Sequence, residues 1–140
     1  MPSTIPFKAE HLDQLDQTAQ LRAFVSPDDF RALEKFPSWS VVDEVDGAVI
    51  ACGGAFPRWP HVAQAWSYLG TGRPHRFLWI HRCVLQFLNA CGFARVEILV
   101  RTDFAAGHRW ARMLGFELEA PRLRLYGPDR LDYSLYARIQ

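Results

Sequence analysis

The 140-residue sequence has no apolar run close to the roughly 18 residues that a membrane-spanning helix requires. Its first six residues also lack a basic stretch followed by an apolar one, so no secretion signal is expected. The sequence therefore predicts a soluble chain that has no membrane partner.

Cysteine is scarce, with three residues at irregular spacing, Cys52, Cys83 and Cys91. An odd number without a regular spacing is not a disulfide framework, and a reducing, cytoplasmic location is the simpler expectation. His81 and Cys83 stand two residues apart in a helical pattern, so they point to different faces of that helix. No metal site is predicted.

Internal repeats, low-complexity stretches and linkers are also missing. The length suits one domain, and we predict that residues 1–140 form a single one. Because 49% of the residues are apolar and 14% are aromatic, the composition is that of a packed core and not of a disordered chain.

The net charge of +1 hides an uneven distribution. Residues 1–56 hold four basic and nine acidic residues, a balance of −5, whereas residues 57–140 hold twelve and six, a balance of +6. All twelve of the later basic residues are arginines, whose planar forks match phosphate oxygens. A phosphorylated small molecule, a nucleic acid or an acidic protein could bind this half. Nucleic acid is not the expected partner, because the sequence contains no known nucleic-acid-binding module.

Hydrophobic spacing and turn residues predict an alternation of strands and helices. The helices are expected over 11–24, from a Ser26 cap to Phe36, over 76–91 and over 105–114. The strands are expected over 4–7, 39–45, 48–56 (ended by the prolines of 57–60), 62–69, 95–101, 116–126 and 133–139.

The strand, helix and strand in the middle of this order predict a right-handed crossover between two parallel strands. Residues 62–69 and 95–101 would be those strands, and the hairpins on either side make the sheet mixed. On the connecting helix, the apolar stripe Phe77, Ile80, Val84, Leu88 and Cys91 is expected to face the sheet.

Four segments, in this order along the chain, match the pattern of a known family. Residues 5–12 fit its first strand and helix start, and Asp46-Gly47 with the small residues of 51–54 fits its hairpin. Residues 90–100 fit the end of its cofactor helix and the next strand, and residues 111–116 fit its closing Leu-Gly-Phe turn. The sequence thus resembles the GNAT family over nearly the whole chain. The resemblance implies the α/β acyl-CoA N-acyltransferase (GNAT) fold, a mixed sheet flanked by helices.

The resemblance also implies an acetyl-CoA site between the two splayed parallel strands. Its diphosphate would lie at the start of the middle helix, where free backbone N–H groups and the helix dipole bind anions. The residues implied are Tyr68, Leu69, Gly72, Arg73, Pro74, His75, Arg76 and Phe77, with Arg73 and Arg76 as cationic contacts. The family's small residues in this loop are replaced here by His75 and Phe77.

The family's reactive side chains are replaced as well. Phe104 stands for its asparagine, Ala111 for its acid tyrosine, and Gln64 for a carboxylate on the first parallel strand. Acyl transfer to an amine benefits from a base and from an acid for the leaving thiolate. The substitutes predicted for these roles are Asp103, His108 and Tyr126.

Residues 107–138 also resemble small GNAT-like proteins encoded by tailed bacteriophages. Two main hypotheses follow. The first is acetyl-CoA-dependent transfer to an amine acceptor, which is either a small molecule or a protein. The second is a catalytically degenerate protein that acts by binding phage structural proteins, in the virion or its assembly, with a location in the host cytoplasm or the virion. A third, weaker hypothesis is a binder of nucleic acid or a host protein through the arginine-rich half.

Overall fold

The computed structural model describes residues 3–15 and 27–140. Its strands are β1 (Ser3–Ile5), β2 (Ser38–Val42), β3 (Val49–Trp59), β4 (Val62–Leu69), β5 (Arg95–Arg101), β6 (Glu117–Leu123) and β7 (Tyr133–Ile139). Its α-helices are α1 (Pro27–Leu33), α2 (Phe77–Ala90) and α3 (Ala105–Met113), with 3-10 helices at Ala9–Gln14 and Pro74–Arg76. None of these helices is long and apolar enough to cross a membrane.

The strands form one seven-stranded sheet in the order β1-β2-β3-β4-β5-β7-β6. The pairs β1–β2, β2–β3, β5–β7 and β6–β7 are antiparallel, whereas β4 and β5 are parallel. The sheet is therefore mixed, with helices between its strands, as the sequence predicted.

The parallel pair confirms the central prediction about the fold. Strands β4 and β5 begin and end at the predicted residues. Their described register joins Val62 to Arg95, Ala63 to Val96 and Gln64 to Glu97. Each strand continues for several residues beyond this three-pair ladder.

The chain divides into two compact units, described here one at a time. The first comprises Met1–Phe56 and Trp66–Gly92. Its core joins the N-terminal segment to β3 and β4 through Phe7, Leu12, Leu15, Phe30, Leu33, Val49, Cys52 and Tyr68. On α2, the predicted stripe is buried at Ile80, Val84 and Leu88 and half-buried at Phe77 and Cys91. Gly92, at φ +82°, ends this helix in the left-handed conformation that glycine adopts without strain.

The second unit comprises Pro57–Ala65 and Phe93–Gln140. Strands β5 and β7 pair over their full length, from Arg95 opposite Ile139 to Arg101 opposite Tyr133. Buried residues from these strands and from α3 form its interior: Val96, Val100, Ala111, Leu114, Phe116, Tyr133, Tyr136 and Ala137. Whether the whole chain is one domain stays a prediction.

The prediction that the prolines of residues 57–60 end strand β3 after Phe56 is wrong. The strand continues through Pro57 to Trp59. The described pairing of β3 with β2 reaches only to Gly54. Beyond Gly54, no carbonyl group of β2 needs a hydrogen bond from a β3 N–H group. A proline is tolerated where a strand edge has no partner.

Several other element ends differ from the sequence prediction: β1 ends at Ile5 and not at Phe7, and β2 ends at Val42 and not at Val45. Helix α1 ends at Leu33 and not at Phe36, because the bonds of the next three residues have the tighter i to i+3 spacing, such as Phe36 N–H to Leu33 O at 3.2 Å. Strand β6 ends at Leu123, three residues before its predicted end.

The prediction of a continuous helix over 11–24 is wrong at its start, because a 3-10 helix covers Ala9–Gln14 and Leu15 is extended, with ψ 130°. Residues 16–24, like the Ser26 cap, lie outside the described residues.

Candidate functional site

The segment that leads into α2 is the predicted diphosphate site. The 3-10 helix Pro74–Arg76 runs directly into the 14-residue α2. The start of α2 has no side-chain cap and no acidic residue in its first turn. Free backbone N–H groups at a helix start form a site for an anion, but here the N–H groups of Arg76 and Phe77 already donate to Arg73 O and Pro74 O. A small cavity of about 100 Å³ borders Gly70, Gly72 and Arg73 beside the start of α2.

Carboxylates of the β2–β3 hairpin hold both arginines of this segment. Asp43 lies between them, with its Oδ2 2.8 Å from Arg73 Nη1 and 3.0 Å from Arg76 Nε. Arg73 also donates to Asp46, with Nη1 3.0 Å from Oδ1. Asp43 is buried, whereas Asp46 is exposed. The guanidinium groups assigned to phosphate from the sequence are therefore already paired within the protein.

The charges of this cluster stabilise one another. The backbone N–H of Val45, followed by Arg73 and Arg76, lowers the pKa of Asp43 to about 2. The hydrogen bonds from Arg73 likewise lower the pKa of Asp46, and the two carboxylates raise the pKa of Arg73. All of these groups are ionised at neutral pH. A phosphate would have to compete with these carboxylates for Arg73 and Arg76.

The other predicted cofactor residues differ in what they can offer a ligand. Tyr68 is buried, its ring centroid is 5.7 Å from that of Phe30, and burial raises its pKa to about 12. Its side chain therefore belongs to the core of the first unit. Leu69 and Phe77 are half-buried, and Gly72, Pro74 and His75 are exposed. That the backbone of this segment receives a diphosphate stays a prediction, and its guanidinium groups could contact one only after they leave their carboxylates.

The predicted catalytic residues all lie in the second unit, and Asp103 is held by an arginine there. Arg101 donates to both carboxylate oxygens of Asp103, at 3.1 and 2.9 Å. This pairing lowers the pKa of Asp103, whose side chain is 66% exposed. A carboxylate with a lowered pKa is a weaker base.

His108 has partners for both ring nitrogens. Its Nε2 lies 2.9 Å from the carbonyl oxygen of Arg101 and 3.2 Å from that of Thr102. Carbonyl oxygens only accept, so Nε2 donates to them, and Nδ1 shares a hydrogen bond with the Tyr136 hydroxyl at 2.7 Å. Tyr136 is a buried residue of β7, and Arg101 is the last residue of β5. The hydrogen bonds of His108 therefore link α3 to both strands. The contacts are those of a residue that holds the fold together.

Tyr126 lies beside the larger of the two described cavities. The residue follows the end of β6 and belongs to the loop between β6 and β7, not to the strand as predicted. Its N–H donates to Leu131 O at 3.0 Å, which fixes the loop. The cavity has a volume of about 240 Å³ and is lined by Arg58, Gln64, Glu97, Leu99, Tyr126 and Leu135. Asp103 and His108 are not among its lining residues.

Sequence reasoning missed four of the lining residues, and Glu97 is the carboxylate among them; the others are Arg58, Leu99 and Leu135. The Oε2 atom of Glu97 accepts from Arg95 Nε at 3.2 Å and Nη2 at 3.0 Å. Arg95 also donates to both oxygens of Glu119, at 3.0 and 2.6 Å. One charged residue within the apolar run of 96–100 was the available signal. The position of Glu97 in the cavity depends on the strands that pair with β5, and the sequence of β5 does not show which strands these are.

Comparison with known proteins gives a clear result at the level of structure only. No protein-family model matches the sequence, and no curated protein matches it. Among solved structures, Ard1 from Thermoplasma volcanium aligns with a TM-score of 0.80 and 16% identity, over 99% of this chain and 97% of that one. The ribosomal-protein-S18-alanine N-acetyltransferase from Escherichia coli aligns with a TM-score of 0.74 and 16% identity, over 99% and 94%. A GNAT-family acetyltransferase from Bacillus anthracis aligns at 0.69 and 8%, over 99% and 94%.

This chain has the GNAT fold. The similarity covers nearly all of the chain and agrees with the mixed sheet and the parallel β4–β5 pair. The fold class implied by the sequence is thereby confirmed. At 8–16% identity, the GNAT fold is what these structures share with the chain.

The structure also locates the three positions at which the family's reactive side chains are replaced, Gln64, Phe104 and Ala111. Ala111 is buried on α3, and Phe104 is an exposed residue at the start of that helix. Gln64 lines the 240 Å³ cavity and is the register partner of Glu97. A carboxylate is therefore present in this cavity, on the strand next to the one where the resemblance placed it.

Proposed function

We propose that this chain is an acetyl-CoA-dependent N-acetyltransferase that acts on an amine of a small molecule or a protein. The observation that carries the proposal is the GNAT fold, shared over 99% of the chain with proteins named as acetyltransferases. One of them is named for an alanine of a ribosomal protein, which supports an amine as the acceptor.

Acetyl-CoA, when bound, would supply a thioester whose acetyl group passes to the amine nitrogen. The residues of this chain would bind and orient the reactants. The backbone at the start of α2 would receive the diphosphate, and Gly72 leaves the approach open because a Cβ there would meet no atom within 4 Å. Arg73 would join only after leaving Asp46, the exposed member of its two carboxylate partners.

A thermal-shift titration with acetyl-CoA tests this proposal. A ligand that binds only the native state raises the melting temperature with concentration, by an amount equivalent to about 2.7 kcal/mol at 100 times its Kd. We expect a rise in the wild type and a larger one in Asp46→Asn, because that variant frees Arg73 from one competing carboxylate.

Asp103→Asn is the matched control, since it removes an arginine-paired carboxylate in the other unit. Its shift should equal that of the wild type. No shift with millimolar acetyl-CoA in the wild type or in Asp46→Asn would refute the proposal.

A second candidate is a GNAT-fold protein that binds a partner without transferring an acetyl group. The observation in its favour is the pairing of Arg73 and Arg76 with Asp43, which removes the cationic contacts for a diphosphate. A folded wild-type protein that does not respond to acetyl-CoA would support this candidate. The association with bacteriophage particles stays a prediction.

A further inference from the structure

His11, in the first unit, accepts two hydrogen bonds at one ring nitrogen. The backbone nitrogen of Lys8 lies 3.1 Å from His11 Nδ1, and the hydroxyl oxygen of Ser40 on β2 lies 2.7 Å from the same atom. A backbone N–H can only donate, so Nδ1 carries no hydrogen and the Ser40 hydroxyl donates to it as well. The imidazole is therefore neutral, with its ring hydrogen on Nε2.

A row of buried donors leads to His11. Because the one hydroxyl hydrogen of Ser40 is directed at Nδ1, the Cys52 thiol donates to Ser40 Oγ over 3.3 Å. Ser40 and Cys52 are fully buried, and burial raises the pKa of the Cys52 thiol to about 11, so the thiol keeps its proton. A proton added to Nδ1 would set its N–H against that of Lys8 and would reverse the direction of the row.

His11 also caps the 3-10 helix Ala9–Gln14. Its ring accepts from the N–H of Lys8, the residue before this helix, and its own backbone N–H donates to Lys8 O at 2.9 Å. The last residue of the helix, Gln14, accepts from the N–H of Val49 on β3 at 3.0 Å through Oε1. Gln14 also lines the cavity of about 100 Å³ described above. The conformation of this segment therefore depends on the state of one ring nitrogen.

The charged groups that face His11 do not offset its burial. Burial lowers the pKa of His11 below its usual 6.5, and the smaller effects come from Glu10 and Glu34, which raise it, and from Lys8, which lowers it. Both carboxylates have partners of their own. Glu10 pairs with Arg31 at 2.9 Å, and Glu34, which follows α1, accepts from a backbone N–H of the 3-10 helix at 2.9 Å. The folded segment therefore selects the neutral ring.

We propose that His11 is a pH-sensitive latch for residues 8–15: the neutral ring holds this segment on the first unit, and protonation of Nδ1 releases it. In the opened segment the ring meets water and binds a proton with its ordinary affinity. The closed form is therefore fully stabilised above about pH 6.5 and loses stability as the pH falls below that value. Opening withdraws Gln14 from the cavity that Arg73 borders. The latch does not depend on the proposed function.

Hydrogen exchange measured by NMR between about pH 7.5 and pH 5 tests the latch in the wild-type protein. The protection factor, which is the intrinsic exchange rate divided by the observed one, is measured for the N–H groups of Lys8 and Val49, which His11 and Gln14 hold. We expect both factors to fall by roughly threefold or more, because an opening that takes up one proton gains up to about tenfold per pH unit. The paired amides of β5 and β7 should keep their protection.

His11→Asn is the decisive variant, because the amide oxygen of asparagine replaces Nδ1 as an acceptor and binds no proton in this range. Its protection factors should not depend on pH. His61→Asn, which replaces an exposed histidine of the second unit, is the matched control and should behave as the wild type.

Ser40→Ala keeps the test decisive if His11→Asn fails to fold. Loss of a donor to Nδ1 should raise the pKa of His11 in an NMR titration and weaken the pH dependence of protection. Three results would each overturn the proposal: a wild-type His11 with a hydrogen on Nδ1 at pH 7.5, wild-type protection that does not change with pH, or wild-type pH dependence in His11→Asn.

Discussion

Asp43 illustrates how one buried side chain organises its surroundings. Its carboxylate accepts from Val45 N–H at 3.1 Å and pairs with Arg73 and Arg76. A buried carboxylate without such partners would be strongly unfavourable, and so would arginines left beside a neutral side chain. The three charged residues therefore depend on each other, and Asp43 fixes the loop before α2.

We predict that Asp43→Asn lowers the melting temperature by several degrees at pH 7 and that the difference from the wild type shrinks between pH 4 and pH 2. The folded-state pKa of about 2 lies below the usual 3.8. The stabilisation is therefore complete above about pH 4 and is lost as the pH falls through the folded-state value. Thermal melts across this range provide the measurement.

Asp103→Asn is the comparison for that experiment, because its arginine-paired carboxylate is mostly exposed. Exposed ion pairs contribute little to stability. Its melting temperature should stay near that of the wild type at pH 7. A difference between Asp43→Asn and the wild type that is unchanged from pH 5 to pH 2 would contradict the role assigned to Asp43.

At the scale of elements, helix α2 combines a buried face with an exposed one. Ile80, Val84 and Leu88 recur at helical spacing and are buried, whereas Leu78 on the same helix is 54% exposed. In the first unit, the helix contacts the sheet through Phe87, whose ring centroid is 6.3 Å from that of Trp39 on β2. The stability of α2 therefore depends on one stripe of side chains.

Leu88→Ala should lower the free energy of unfolding by roughly 2–5 kcal/mol, because it removes buried methyl groups and leaves a cavity. Leu78→Ala makes the same chemical change on the exposed face and should alter stability by less than about 0.5 kcal/mol. Denaturant unfolding of both variants gives the comparison. Similar losses in the two would mean that the helix face is wrongly assigned.

At the scale of the whole molecule, the uneven charge does not produce a uniformly basic half. In the second unit, Arg95, Arg101 and Arg122 pair with carboxylates within 3.0 Å. In the first unit, Arg73 and Arg76 do the same. The carboxylates that pair with the three arginines of the second unit are already counted in the +6 balance of residues 57–140, whereas Asp43 and Asp46 are not. Adding these two acidic residues lowers the balance available to a polyanion to +4.

We predict that the protein binds duplex DNA or RNA more weakly than non-specific DNA-binding proteins do, with a Kd weaker than about 10⁻⁴ M at physiological salt. Proteins that bind through arginine–phosphate contacts show an affinity that falls steeply with salt concentration. Fluorescence anisotropy with labelled duplexes at several salt concentrations measures both quantities. Micromolar binding with a steep salt dependence would contradict this prediction and revive the nucleic-acid hypothesis.

Much of the fold could be predicted from local sequence patterns. Strands β4 and β5 have the predicted bounds because their apolar runs end at clear turn or loop residues. Helix α2 was predictable to within one residue at each end from its stripe and from Gly92. The errors at Phe36, Pro57 and Tyr126 arose where the end of an element depends on tertiary contacts, such as the limit of the β2 pairing at Gly54.

The candidate site was less predictable, because its residues are distant in sequence. Asp43 and Arg73 are thirty positions apart, and no local pattern links them. Glu97 meets Gln64 through strand register and Tyr126 through a loop. From the sequence, His108 was predicted as a general base. Its hydrogen bonds to Tyr136 and to Arg101 O depend on where α3 packs, which the sequence does not show.

By itself, the sequence determined the order of most of the described elements and the parallel pair, because periodicity and turn residues act over a few positions of the chain. The GNAT fold was implied by the resemblance of four sequence segments to that family. Only the tertiary structure decided which charges meet. It placed Asp43 between Arg73 and Arg76, and it placed Glu97 in a cavity of the second unit. The physical reason is that a Coulomb interaction or a hydrogen bond depends on distance in space, and strand pairing brings together residues that are far apart in the chain.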